Sequence, residues 1–554
     1  MRARLRTAAA VAALALLAAV GGCSGTRSAA GGSVIVADTG GGGLYTHNFN
    51  PFAVNAASGT RGFIYEPLFF FNNARKGAPV PQLGTAYAFS DHGKVLDLTL
   101  RKHVTWSDGK PFGSADVAFT FDLIRRTPSL NTGGLDLTAV RATDADHVRL
   151  TFRTPAYVQL PVVAGQTMIV PAHLWKGVGD PSTWANSKPV GTGPFVLRTF
   201  SPQAVTLMKN PSYWEQGKPA IDGVRYILTS GNSASDAGLR AGTTDWGGVS
   251  FPGLKKNYLD RSSDNHITTF SLATTDLLLN LGAWPGNDLA VRQAVSLGLD
   301  RERIYRLGLE PTSVGGYQKA SPVQMLRPAF SSAVSPAYRG LEYHYDPATA
   351  RSTLLKAGYT MGGDGFFRDR TGRRLSIPVE VVSGYTDVIT MAQVMAQQLR
   401  QVGIDFTIRQ ASATSVSTDF SQGRYTAQIT NVYGGTTPYY AWNQLLNSAL
   451  TAPVGKPAVG DQIRFRNPEV DAALAGVRAT DPADTAALQA YYDRIQKVLV
   501  EQQPVIGLLQ SVQAGEYSTA RATGYPTAAD LYAVPVPWSA PDAAIVAKNL
   551  KPAS

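Results

Sequence analysis

The sequence predicts an α/β fold divided into more than one domain. Strand-like apolar runs alternate along the chain with capped amphipathic helices, and a strand, a helix and a second strand follow one another between Leu375 and Phe406, as in a βαβ unit. With 554 residues, 44% of them apolar, the chain exceeds what a single core normally holds, and two or three domains are expected.

The strands are predicted at Val34–Val36, Val148–Phe152, Val224–Leu228, Ile377–Val382 and Val505–Leu509, each rich in β-branched residues and bounded by turn formers. Three helices combine a cap with an apolar stripe. Asp346-Pro347 opens one, with Asp at the N-cap, Pro at N1, Ala350, Leu354 and Ala357 on one face and Gly358 as its stop. Another runs from about Val388 to Val402, placing Val388, Met391, Met395, Leu399 and Val402 together ahead of Gly403. Asn467-Pro468 starts the third, with Val470, Ala473, Leu474 and Val477 inward. Ser107-Asp108-Gly109 is turn chemistry, and Ser114 is the expected N-cap of a helix burying Val117, Phe121 and Ile124. No fixed-period repeat is visible.

The N-terminus carries an address. Arg2, Arg4 and Arg6 precede an uncharged apolar stretch from Ala8 to Val20, which makes residues 1–22 a secretory signal. Val20-Gly21-Gly22-Cys23 looks like a bacterial lipobox, so Cys23, the only cysteine, is expected to be diacylated and to become the first residue of the mature chain. Two acyl chains suffice for stable anchoring, and no further apolar run is long enough to span a bilayer. Residues 23–33 form a small, polar tether. The expected place is therefore the cell membrane, lipid-anchored on the extracytoplasmic face. Removing residues 1–22 takes the net charge from +11 to +8, a diffuse excess without a dense basic run, which gives no indication of nucleic acid.

Catalytic chemistry is not evident. There is no G-x-S-x-G elbow, no H-E-x-x-H and no second cysteine, and His47, His92, His103, His147, His173, His266 and His344 show no close ligand spacing. The reading is a protein that is not an enzyme and that needs no cofactor and no metal.

Six segments, spread over nearly the whole mature chain, carry a resemblance. They are Tyr65-Glu66-Pro67-Leu68; Trp106 to Phe112 with Ala115-Asp116-Val117; Pro189 to Phe195; Asn210-Pro211-Ser212-Tyr213-Trp214; Val291 to Ala294 with Asp300-Arg301; and Asp346 to Tyr359. In this order they resemble the family 5 solute-binding proteins of ABC importers, the peptide, nickel and oligosaccharide type. The resemblance implies a two-lobed periplasmic-binding-protein-like fold, type II, cluster C, with an extra inserted domain and a two-crossing hinge. Lobe 1 would combine 34–76, 189–279 and 508–554, with a domain inserted at 77–188, and lobe 2 would cover 280–507. The crossings would fall near Leu279-Asn280 and Pro504–Leu508. It further implies a monomer that binds a small oligomeric solute and passes it to ABC permease subunits in the membrane.

The segment Asn431 to Asn443 has the most unusual composition, turn residues alternating with four large aromatics, and it reads as a loop. In the family this region lines the cleft, and peptide-binding members hold the ligand's α-ammonium there with an aspartate after a nearby Trp. Here Gly434-Gly435-Thr436-Thr437 stands in that place, and Asp38 or Asp276 would have to substitute. Asn431, Tyr433, Gly434, Gly435, Thr436, Thr437, Tyr439, Tyr440, Trp442 and Asn443 are the candidate ligand contacts. Trp246, where the family carries an A-G-E-x-D element, and Tyr45, Asn48 and Asn50, in the glycine-rich loop after the first strand, join them. Peptide-type cargo is one reading, and a cello-type oligosaccharide, suited to aromatic faces beside Asn and Thr, is the other. A signal sensor or chaperone without transport, or a secreted hydrolase, would be the rivals.

Overall fold

The computed structural model describes residues 33–554 except 41–42, 76, 249–252, 311–314 and 324–327. The arginine-rich leader, Cys23 and most of the tether lie outside the described residues.

Three large sheets organise the chain. In the first, Val34–Asp38 pairs in parallel with Gly223–Ile227, which continues antiparallel to Ala204–Lys209 and then Phe195–Ser201. Ile35, Ala37, Val205, Leu207, Val224 and Tyr226 alternate into the core below it. The second sheet is wholly antiparallel, in the order Gly84–Ser90, Val95–Leu100, His147–Phe152 and Leu137–Ala142. Helix Ser114–Arg126 covers it and buries Val117, Phe121 and Ile124 as the spacing predicts. Its cap differs from expectation by one residue. Gly113 is the N-cap and Ser114 is already helical, its hydroxyl drawn away to the carbonyl of Asp144. Asp116 instead closes the helix start by accepting the Gly113 N–H at 3.2 Å.

The third sheet has the order Asp405–Ala411, Ser376–Val382, Ala427–Tyr433, Asn265–Leu279 and Ile506–Ser518. Ser376–Val382 and Asp405–Ala411 are parallel, joined by helix Thr386–Val402, which is the predicted βαβ unit. Gly403 ends that helix at φ 97°, a left-handed position suited to glycine. Asp346 and Asn467 cap helices Pro347–Lys356 and Pro468–Ala479 through the backbone N–H of Thr349 and of Glu469 and Val470. Leu277 and Leu279 face one helical layer with Ile377, Val379, Met395 and Leu399, while Leu278 faces the other with Trp442, Leu474 and Leu499. The sheet is thus sandwiched between helices, as strands apolar on both faces require.

The strands Asn265–Leu279 and Ile506–Ser518 form one long antiparallel ribbon. At one end His266 pairs with Tyr517, whose ring belongs to the core of the first sheet, and at the other Leu277 pairs with Ile506 in the core of the third. The passage between cores therefore lies inside the strands, around Leu272–Asp276 and Leu509–Gln513, upstream of Leu279 and beyond Leu508. The register shifts there twice, between Phe270 and Ala273 and between Thr275 and Asp276. The run Leu277-Leu278-Leu279 is core to the far side, and the polar residues before it make the crossing.

Four of the sequence motifs converge on one buried knot. Glu66 is almost wholly buried and accepts from the Tyr213 hydroxyl at 2.8 Å and from Trp214 Nε1 at 3.1 Å. Gly191 accepts the N–H of Ser107 and Gly193 donates to Ile64, while Asn210 Nδ2 donates to the Gly193 carbonyl. The glycines are there for close approach. A Cβ on Gly191 would lie 1.8 Å from the Ile64 oxygen, and one on Gly193 2.1 Å from that of Phe63. Gly191→Ala is expected to lower stability by about 3 kcal/mol in urea unfolding, whereas an unchanged midpoint would mean the turn is free to relax.

Candidate functional site

A cavity of about 470 Å³ opens where the ribbon leaves one core for the other. Thr39, Gly40, Asn232, Gly248 and Trp538 line it from the side of the first sheet, and Glu380, Val382, Tyr385, Asp387, Asn431 and Tyr433 from the side of the third. Thr275 and Gln513 of the ribbon lie between them. A second chamber of about 130 Å³ shares Gly248, Thr275, Asp387, Asn431, Gln513 and Trp538 and reaches Tyr305, Met391 and Glu516.

Local structure explains each position. Asn431 sits beside Thr275 across the ladder and accepts its hydroxyl at 2.8 Å, so both ride on paired strands. Tyr433, at the end of its strand, is 47% exposed, and Tyr385, before the helix Thr386–Val402, is 36% exposed. The Trp538 indole donates to the Gly248 carbonyl at 3.1 Å, which fixes its ring orientation, and a Cβ on Gly248 would come within 2.7 Å of that nitrogen. Glu380 pairs with Arg409 of the neighbouring strand at 3.1 Å and accepts from Gln428 at 3.4 Å. Asp387 lies in the first turn of its helix, where the positive end of the helix dipole favours a carboxylate. Across the cavity, Asn232 Nδ2 stands 3.4 Å from its Oδ1. Burial pushes the carboxyl of both Glu380 and Asp387 above the ordinary range.

The two sides also approach each other outside the cavity lining. A Cβ on Gly231 would lie 3.6 Å from the Gly384 carbonyl, and the Tyr440 hydroxyl donates to the carbonyl of Val158.

Of the residues singled out in the sequence, Asn431 and Tyr433 line the cavity. Gly434 to Thr437 turn away from it: Gly434 donates to the Leu272 carbonyl, Gly435 adopts φ 60° beneath Tyr440, and the hydroxyls of Thr436 and Thr437 are buried without a hydrogen-bond partner among the described residues. The expected loop stops there, because Thr437-Pro438 starts a helix, Pro438–Leu446, with Pro at N1. Helical spacing then carries Tyr439 and Trp442 into the core with Leu445 and Leu446, so Trp442, 0% exposed and packed on Tyr492, is core and not cleft. Asn443 accepts from the Tyr439 hydroxyl within that helix and from Asn447 at its C-cap.

The first-side candidates are also structural. Trp246 bridges Ala37 and Tyr517 through its backbone and donates its indole N–H to the Pro535 carbonyl at 2.8 Å, fully buried. Asn50 spends its amide on the carbonyls of Pro181 and Trp184, Asn48 accepts the Asn50 N–H, and Tyr45 packs on the first core. Neither substitute acid lines the cavity. Asp38 accepts from Thr229 and Gly40, and Asp276 is wholly buried, accepts from Thr274 at 2.5 Å and is pushed up to about 7 by burial.

Trp538, Tyr385, Asn232, Asp387 and Gln513 were not singled out from the sequence. Ser383-Gly384 ahead of Tyr385 is a turn signal that could have drawn attention to it, whereas Trp538 and Gln513 reach the cavity only through contacts distant in sequence. Among the described residues no group of His, Cys, Asp and Glu is arranged to hold a metal, and no helix is long and apolar enough to cross a membrane.

Comparison with known proteins agrees with this architecture. Residues 78–451 match the family model for the bacterial extracellular solute-binding proteins, family 5 middle region. Protein XP55 of Streptomyces lividans is 29% identical over 419 residues, covering 74% of this chain and 72% of that protein. The nickel-binding periplasmic protein of Escherichia coli K12 is 25% identical over 469 residues, 81% and 83% of the two chains. Among solved structures, a mannohexaose-bound periplasmic oligopeptide-binding protein of Thermotoga maritima superposes with a TM-score of 0.84 at 23% identity, over 94% of this chain and 99% of that one. The oligopeptide-binding protein of Bacillus subtilis in complex with a nonapeptide gives 0.76 at 19%, over 94% of this chain and 99% of that one. The two-lobed mixed α/β fold is that of the periplasmic binding proteins, and the chain belongs to the family 5 bacterial extracellular solute-binding proteins, which serve ABC transport.

Proposed function

We propose that this protein is a lipid-anchored importer subunit, held by diacylated Cys23 on the tether 23–33, that captures a peptide-type oligomeric solute between its lobes and delivers it to a membrane permease. The observation that carries the reading is a single cavity lined from both lobes at the ribbon that joins them. Solute held by Asn232 and Trp538 on one side and by Tyr433, Asn431 and Asp387 on the other stabilises the closed form, and the closed form docks on the permease. The lobe assignment is 34–76, 189–279 and 508–554 with an insert at 77–188 against 280–507, its two boundaries drawn into the ribbon because Leu277–Leu279 and Leu508 pack in the far core, and the protein works as a monomer without a cofactor.

An oligosaccharide is the second reading. It is favoured by three aromatic faces, Tyr385, Tyr433 and Trp538, set beside the amides of Asn232, Asn431 and Gln513, and by the mannohexaose held by the Thermotoga protein.

Thermal unfolding of the purified protein with di- to pentapeptides and with glucose and mannose oligomers separates the two. A true ligand stabilises the protein by about 2.7 kcal/mol at a hundredfold excess over its Kd. Peptides are expected to raise the midpoint; a rise with sugars alone would establish the second reading, and no rise with either would remove the solute-binding role from this cavity. Tyr433→Ala is expected to abolish the shift while changing intrinsic stability by less than about 0.5 kcal/mol. Trp442→Ala, by contrast, should cost about 3–5 kcal/mol with no ligand present. Cys23→Ser is expected to move the protein from the membrane fraction to the soluble one, and retention in the membrane would exclude the lipid anchor.

A further inference from the structure

The interlobe cavity is lined by charge of one sign. Glu380 and Asp387 border the larger chamber and Asp387 and Glu516 the smaller, and no Lys, Arg or His among the described residues borders either. The cavity marks the site; its acids state which charge it accepts. Glu380 already has Arg409 at 3.1 Å. Asp387 has no ion-pair partner among the described residues and belongs to both chambers, so it stands at their junction. Its neighbours are Asn232 at 3.4 Å from the opposite lobe and the N–H groups of its own helix start. Tyr385, Tyr433 and Trp538 on the same lining offer ring faces, which also favour a cation.

We propose that Asp387, together with Asn232, receives a primary ammonium group of the solute, so that the cleft selects solutes whose charge at this point is positive and uncompensated. This rests on the cavity being the solute site. The acid is supplied by the start of helix Thr386–Val402, whereas the turn Gly434–Thr437 carries none. A carboxylate on the same small solute would meet acids and no cation, and is selected against. The ammonium can come from the N-terminus of a peptide or from an amino sugar.

Calorimetric titration of the purified full-length protein tests this with five probes: trialanine amide, its N-acetyl form, trialanine with a free carboxylate, and the tetramers of glucosamine and N-acetylglucosamine. In at least one series the free amine should bind roughly 30-fold or more tighter than its acetylated form, and the series that does so identifies the source. Trialanine amide should bind tighter than trialanine if the source is a peptide. Asp387→Asn should lose that same factor for the free amine and nothing for the acetylated probe, and Asp387→Glu should keep a preference for the amine. Equal binding of amine and acetylated forms to the wild type, or undiminished discrimination by a folded Asp387→Asn, would overturn the proposal while leaving the cavity as the solute site. Should Asp387→Asn not fold, the wild-type comparison and Asp387→Glu decide alone. Failure of every probe to bind would overturn both.

Discussion

The antiparallel pairing of Asn265–Leu279 with Ile506–Ser518 is the constraint on which the rest of the molecule depends. Its backbone groups are satisfied by one another along most of the ladder, so the chain can pass between two cores without leaving buried N–H or C=O groups unpaired. A pair of flexible linkers would have left the lobes free to tumble. A ribbon lets them hinge while keeping their faces opposed, and the two register shifts give it a place to bend. The same ribbon supplies Thr275 and Gln513 to the cavity. Arg301, nearly buried beneath Tyr343, donates to the Gly507 carbonyl at 2.6 Å and so ties helix Arg301–Gly308 to the second ribbon strand. Burial lowers its pKa to about 10, yet it stays protonated at neutral pH because carbonyls and a ring face surround the guanidinium.

The segments that carry the family resemblance are mostly structural. Glu66, Gly191, Gly193, Asn210, Tyr213 and Trp214 share one knot of buried hydrogen bonds, and Asp300 caps a helix. Leaving one such group unpaired costs roughly 1–3 kcal/mol, and a side chain at either glycine collides with backbone. These positions tolerate few residue types whatever the solute. That separates the parts of the chain that specify the scaffold from the parts that line the cavity: of the cavity residues, none belongs to the six segments.

Local chemistry was legible where it was sufficient to decide structure. Asp346-Pro347, Asn467-Pro468 and the stripe ending at Gly403 each combine a cap with a period, and each is a helix at the expected place. The candidate site was legible only at Asn431 and Tyr433. Trp442 misled because Gly434-Gly435-Thr436-Thr437 reads as loop and hides that Pro438 begins a helix; once it does, i to i+3 and i+4 spacing turns the aromatic run toward the core. Asn50 and Trp246 misled differently, since their polar atoms are committed to carbonyls more than a hundred residues away in sequence. Trp538 had no local signal at all, and its place follows from the return of the chain onto Gly248.

The position of the acids follows from the same division of labour. At the turn Gly434–Thr437 the backbone folds back under Tyr440, and Gly435 at φ 60° leaves little room for a long side chain. A carboxylate there would sit beside the buried hydroxyls of Thr436 and Thr437. At the start of helix Thr386–Val402, free N–H groups and the helix dipole stabilise the ionised form even as burial raises its pKa. Carboxylates held by helix and strand, and not by the loop, have their charge fixed relative to the third sheet. Across the cavity, Asn232 of the opposite side presents its amide to Asp387 at 3.4 Å.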